Sequence, residues 1–329
     1  MVNENDIFDI TIVGGGPTGL FASFYAGMRE MKVKILDSLP QLGGQLSELY
    51  PDKFIYDVGG FPKILAKDLV DNLATQAQYG KPEICLGETV LATNRDGDLF
   101  VIETDKGVHY SRTVLITAGV GAFQPRKLNV EGAESFEGKS LHYGVKDLSS
   151  FAGTEVLVCG GGDSAVDWAL MMEGVAKKVT LVHRRDRFTA HETSVTKLHE
   201  SSVEVKTSHN VKILQGAEGK LDEVVLVAKD GSETELHADH VIVNYGNVSS
   251  LGPLKEWGLE MDKNSIIVNT KMETNIEGIY AAGDVTSYDG KVKLIAVGLG
   301  EAPIAVNNAK AYLDPKSRVQ PLHSTSVFK

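Results

Sequence analysis

The chain has 329 residues, enough for two domains of ordinary size, and its 42% hydrophobic and 23% charged composition is that of a globular enzyme. Its 33 basic against 44 acidic side chains leave a net charge of −11, which argues against nucleic acid as a partner. No apolar run reaches the length of a membrane span, and residues 1–10 (MVNENDIFDI) lack a basic-then-apolar leader, so no membrane role and a cytoplasmic location are expected.

Residues 8–37, FDITIVGGGPTGLFASFYAGMREMKVKILD, open on a β-branched run, pass a glycine turn and a helical stretch, and end on a second β-branched run. This is a βαβ unit with a phosphate-binding fingerprint at Gly14, Gly16 and Gly19. Asp37 ends the second strand 23 residues after Gly14. A carboxylate there accepts hydrogen bonds from a ribose diol and repels a 2′-phosphate, which points to the adenosine of FAD or NAD. Further on, DLFVIETDKGVHYS and the Asp96-Gly97 turn predict an antiparallel hairpin. SRTVLITAG (111–119) is a short apolar strand that carries the chain out of its first domain.

Residues 154–185, TEVLVCGGGDSAVDWALMMEGVAKKVTLVHRR, repeat the same grammar without a gap. Gly160, Gly162 and Ala165 hold the fingerprint positions, and 23 residues after Gly160 stands His183, followed by Arg184 and Arg185. Guanidinium groups at the place of the acid match a 2′-phosphate bidentately, so this copy predicts an NADPH site. ADHVIVNYG (238–246) echoes the earlier exit strand. The expected fold is therefore α/β, with two Rossmann-like three-layer domains. Residues 119–246 form the NADPH domain, inserted in an FAD domain made of 1–118 and 247–329. Beyond the insertion, IYAAGD places Asp284 at a strand end beside a glycine turn, where it serves equally as a turn cap or as a ligand for ribityl or ribose hydroxyls. LIAVGLGEAPIAVNNAKAYL reads as a helix whose N-terminus faces an electron-rich ring.

There are two cysteines, Cys85 and Cys159, in no CxxC pair, and the nine histidines show no H-x-x-x-H spacing, so no metal is expected. Cys159, inside the strand VLVCGGG, reads as a buried, inert thiol.

Taken in order, GGGPTG with Asp37, the TAG at Thr117, GGGDSA with HRR, and IYAAGD resemble the thioredoxin-reductase-like flavoproteins over nearly the whole chain. The redox CxxC that thioredoxin reductases carry before the second fingerprint is missing from SLHYGVKDLSSFAG. Two further stretches, SLPQLGGQLSELYPDKFIYDVGGFPKI and DPKSRVQPLHSTSVFK, look like those of the thioredoxin-reductase-like ferredoxin/flavodoxin–NADP reductases. That resemblance implies a homodimer with one FAD per chain, passing electrons reversibly between NADPH and a one-electron carrier, ferredoxin or flavodoxin. It implies FAD contacts at Thr18, Asp37, Gln45, Tyr50, Val90, Phe123, Asp284 and Thr325, beside the glycines of the first turn. Tyr50 would stack on one flavin face and His323 of the tail cover the other, in the partner chain. NADPH contacts fall on Gly160, Gly162, Asp163, Ser164, His183, Arg184 and Arg185, and hydride transfer requires no acid–base side chain. Reduction of a small disulfide or ferric chelate, and a non-catalytic flavin sensor, are the competing functions.

Overall fold

A computed structural model describes residues 3–145 and 147–320, without the side chains of 122–124 and 247–249. Contacts divide the chain into two compact units, Met1–Phe123 with Ser249–Lys329, and Gln124–Val248.

In the first unit β1 (Ile7–Val13) and β2 (Val33–Asp37) run parallel, joined by α1 (Pro17–Met28). Proline at the first helical position costs no hydrogen bond, because that N–H has no partner within a helix. After the short α2 (Gln45–Leu49) and the amphipathic α3 (Ala66–Ala77), β3 (Glu83–Leu86) adds parallel to the far side of β2. The expected hairpin is part of a three-stranded meander, β4 (Val90–Asp96), β5 (Leu99–Thr104) and β6 (Val108–Ile116). The end of β6 then pairs parallel with β1.

The second unit repeats this plan. Its parallel strands are β7 (Leu141–His142), β8 (Glu155–Gly160), β9 (Lys178–His183), β10 (Glu204–Thr207) and β14 (His240–Asn244), in the order β7-β14-β8-β9-β10. Strand period 2 decides its layers. Leu157, Cys159, Val182, Val241 and Val243 face a three-stranded antiparallel sheet, β11 (His209–Ala217), β12 (Lys220–Ala228) and β13 (Glu233–His237), through Val211, Leu214, Val224 and Leu226. Val156, Val158, Leu181 and Ile242 face α4 (Asp163–Glu173) and α5 (Glu192–Glu200) through Ala165, Val166, Trp168, Met172 and Leu198. Buried on both faces, the central strands β8, β9 and β14 have to be largely apolar, as the sequence is.

Each parallel sheet is completed by a strand beside its exit strand. In the second unit this is β7, which comes before the fingerprint. In the first it is β15 (Ile279–Ala281), which pairs parallel with β6 only after the whole second unit has intervened. The long α6 (Ile295–Leu313) follows and packs on α1. Arg29, at the end of α1, then donates to Ser317 Oγ (2.8 Å) and to the carbonyl of Arg318 (2.8 Å), fixing how the chain leaves α6. The segments joining the units carry Gly119, Gly121 and Gly246 at φ of 62°, 85° and 82°.

Candidate functional site

The first glycine turn closes on itself. Gly14 has φ 113°, and a Cβ there would lie 2.6 Å from the Thr117 carbonyl oxygen that follows β6. A Cβ on Gly19 would lie 2.0 Å from the Gly14 carbonyl. Gly16 differs: a Cβ there meets nothing within 4 Å. Its openness is what close approach of a diphosphate to the N-terminus of α1 demands. Asp37 is 7% exposed, and its Oδ2 accepts from the Gly15 N–H (2.6 Å) and Oδ1 from the Leu39 N–H (2.8 Å). Burial raises its pKa, and these two N–H donors pull it back. A carboxylate offers about four acceptor positions, so room remains for a ribose diol.

On the same unit, the turn after β15 brings Asp284 to the fingerprint helix. Gly283 stands at φ 83°, and a Cβ on it would be 2.8 Å from Thr18 Oγ1; one on Gly298 of α6 would be 2.3 Å from the same hydroxyl. Thr18 therefore packs between the Asp284 turn and α6. Burial raises the Asp284 pKa, the ammonium groups of Lys291 and Lys293 lower it, and the Glu301 carboxylate raises it. Tyr50 caps α2 and is half-buried against the core. Burial and then the carboxylates of Asp284 and Asp57 push its hydroxyl up, which places the ring in the field of Asp284. Gln45 begins α2, with Nε2 3.3 Å from where a Gly119 Cβ would be, and Val90 is buried at the start of β4. Open space at Gly16, spare acceptors on Asp37 and a part-buried Asp284 on one rim fit FAD. The Phe123 side chain, His323 and Thr325 lie outside what the structure describes.

The second turn is built alike, with the first glycine, Gly160, against the Asn244 carbonyl that ends β14 (2.5 Å from its Cβ position). Gly162 is again nearly open, meeting only Thr189 Oγ1 at 3.8 Å. Asp163 and Ser164 begin α4 exposed, and Asp163 Oδ1 accepts from the His191 N–H at 2.7 Å. His183 is buried: its ring leaves no space for a Cβ on Gly161, stacks on Phe188 at 5.3 Å and sets Nε2 3.1 Å from the Arg187 carbonyl. Burial lowers its pKa, which favours the uncharged ring. Arg184 and Arg185 are exposed and line a cavity of about 430 Å³ with Asp186, Arg187, Phe188, Thr189 and Lys229. Sequence reading missed Lys229, because it follows β12 and no spacing ties it to the HRR motif; in the fold its N–H donates to the Ser208 carbonyl (3.2 Å), the Ser208 N–H donates to the Arg185 carbonyl (3.3 Å), and its ammonium pairs with Asp186 (3.2 Å).

Two other groups were not anticipated. Cys85, Glu88 and His109 bring ligand atoms within 4.8 Å of one another. His109 is bracketed by Lys34 at Nδ1 (2.8 Å) and Glu88 at Nε2 (2.7 Å), and Glu88 also accepts from Thr104 Oγ1 (2.6 Å), so an ion-pair network accounts for the cluster. The second group is Glu301 with Lys291 and Tyr288, buried beside Asp284. A lone acid in the apolar run of α6 is a sequence signal, since a buried carboxylate requires partners. The two cysteines lie in different units, and burial pushes the Cys159 thiol up to about 12. Neither cysteine belongs to a CxxC pair.

The family described as pyridine nucleotide-disulphide oxidoreductase matches residues 8–309. The chain is 61% identical over 330 residues to ferredoxin–NADP reductase 2 of Shouchella clausii, covering 100% of both chains. It is 57% identical to ferredoxin–NADP reductase of Geobacillus kaustophilus, covering 99% of this chain and 98% of that one. Among solved structures, T. acidophilum thioredoxin reductase superposes with a TM-score of 0.79 at 28% identity, over 95% of this chain and 100% of that one. Lactococcus lactis thioredoxin reductase gives 0.78 at 27%, over 93% and 99%. The chain belongs to the pyridine nucleotide-disulphide oxidoreductase family and, within it, to the ferredoxin–NADP reductases.

Proposed function

We propose that FAD sits in the first unit and NADPH in the second, and that this enzyme passes electrons from NADPH to ferredoxin or flavodoxin. The observation that carries the reading is one register with two chemistries. Asp37 ends the second strand of one βαβ unit; at the equivalent place in the other, Arg184 and Arg185 border a cavity that also draws in Lys229. A ribose diol suits the first site and a 2′-phosphate the second.

FAD, when bound, accepts two electrons from the nicotinamide and gives them up one at a time, which is why it links this donor to a one-electron acceptor. The protein's part is binding and alignment. Asp37 and Asp284 orient the ribose and ribityl hydroxyls, Gly16 and Gly162 admit the diphosphates, and the basic rim selects the phosphorylated nucleotide. His183 supports its turn from below. Tyr50 covers one flavin face and His323 of a second copy the other, with Thr325 a further FAD contact, making the working form a homodimer. Gly119, Gly121 and Gly246, at positive φ, would supply the hinge freedom that aligning the nicotinamide with the flavin requires. The site of action is the cytoplasm, where NADPH is supplied. No helix among the described residues is long and apolar enough to cross a membrane.

The test is NADPH oxidation with ferredoxin, flavodoxin and thioredoxin side by side. Turnover with a carrier and none with thioredoxin is expected; brisk thioredoxin reduction would overturn the reading.

A further inference from the structure

Glu301 lies in the apolar helix α6 and is 4% exposed. Its Oε2 accepts from the Gly283 N–H at 2.7 Å, and its Oε1 accepts from the Tyr288 hydroxyl at 2.5 Å and from the Lys291 ammonium. The Lys291 side chain is 6% exposed. Gly283 is the residue before Asp284, and its other side is against Thr18 of the fingerprint helix. Thr286 closes the turn by donating its hydroxyl to the Gly283 carbonyl at 2.8 Å.

A buried ion pair is a poor device for stability, since apolar residues of similar volume often do as well. It is a good device for holding one backbone N–H in one place while adding no net charge. Here that N–H belongs to the turn that presents Asp284. The pair also adds a polar tie between two elements that already pack at Gly298 and Gly283, the loop after β15 and α6.

We infer that Glu301, neutralised by Lys291 and braced by Tyr288, is a positioning residue that fixes the Gly283–Asp284 turn against the flavin and balances the charge beside it. The inference rests on the reading that this turn takes FAD. Each half of the pair then carries an opposite consequence. Glu301→Gln leaves an unbalanced ammonium, which stabilises the electron-rich reduced flavin and raises its reduction potential. Lys291→Met leaves an unbalanced carboxylate and lowers it. The double variant, neutral at both positions, returns the potential toward that of the parent.

The experiment is spectroscopic titration of the potential in the FAD-loaded protein, with FAD dissociation constants measured on the apoprotein. Opposite shifts in the single variants, with recovery in the double, are expected; shifts of the same sign, or none, overturn the inference. Glu301→Asp covers the case in which a single charge variant does not fold. It keeps the charge but shortens the reach to the Gly283 N–H, so the FAD dissociation constant should rise about tenfold with the potential little changed. A parental dissociation constant for Glu301→Asp overturns the positioning role. Asp284→Asn separates this from the underlying reading: if it leaves FAD affinity unchanged, the turn is not a flavin site at all.

Discussion

At the scale of single residues, the two glycine turns separate positions that close the backbone from positions that leave room for a ligand. Gly19 abuts the Gly14 carbonyl, so Gly19→Ala should cost roughly 1–3 kcal/mol of folding stability by overpacking. Gly16 has an extended backbone, φ −74° and ψ −177°, and open space beside it. Gly16→Ala should change apoprotein stability by no more than about 0.5 kcal/mol, yet weaken FAD about tenfold or more. Thermal unfolding of the apoprotein and a flavin titration distinguish the two; equal stability losses would mean that Gly16 is merely structural. The basic rim gives a second prediction. Arg184→Ala with Arg185→Ala removes charge-assisted bonds of roughly 1.5–3 kcal/mol each, and should raise the Michaelis constant for NADPH at least about tenfold while leaving that for NADH nearly unchanged. Lys229→Met should act in the same direction and more weakly, since it is an exposed point charge without the guanidinium fork. Equal losses with both nucleotides would remove the rim from phosphate recognition. Asp37, Arg184 and Arg185 were legible because the βαβ unit fixes their register. Lys229 and the partners of Glu301 were not, because only the folded chain brings a loop after β12 to a strand end, or α6 to the turn after β15.

Among elements, the duplicated βαβ units and the helix at 295–313 could be read from pattern alone, since strand alternation and apolar runs translate directly into layers. What pattern could not give was how the meander of the first unit joins its parallel sheet through the single long strand β6, whose two halves have different partners. Nor could it give the pair made by His142 on β7 and His240 on β14, which meet at 3.1 Å with Phe151 edge-on to both rings. Burial and then the proximity of His240 push the His142 pKa down to about 4, and burial lowers that of His240. The unfolded chain takes up a proton near pH 6.5 that the folded unit refuses until about pH 4. Stability from this source is therefore complete above pH 6.5 and declines as pH falls from 6.5 toward 4. After allowance for partial exposure, the loss for the pair is on the order of 1–2 kcal/mol. His142→Gln should flatten the decline in melting temperature between pH 7 and 4.5 relative to the parent; parallel curves would show that the pair is not its source.

For the whole molecule, the family is fixed by full-length likeness, while the proposed homodimer would bring the last residues to the flavin. Arg29 anchors residues 317 and 318 and so sets where the tail begins. Deleting residues 316–329 should leave FAD and NADPH bound, because both fingerprints are remote in the chain, but alter the rate of flavin reduction by NADPH and of transfer to ferredoxin. Arg29→Ala should reproduce part of that change. Stopped-flow reduction paired with steady-state ferredoxin turnover measures both, and identical kinetics for full-length and truncated protein would remove the tail from the site. The late arrival of β15 bears on how the protein is made. At about 5–20 residues per second of synthesis, the ribosome spends on the order of ten seconds between finishing β6 and delivering the strand that pairs beside it. During that interval the second unit has its whole sequence available and can fold, while one edge of β6 waits bare. A nascent chain in this state exposes an unpaired, β-branched strand edge, so the hazard of misassembly falls on the first unit and ends only when residues 279–281 emerge.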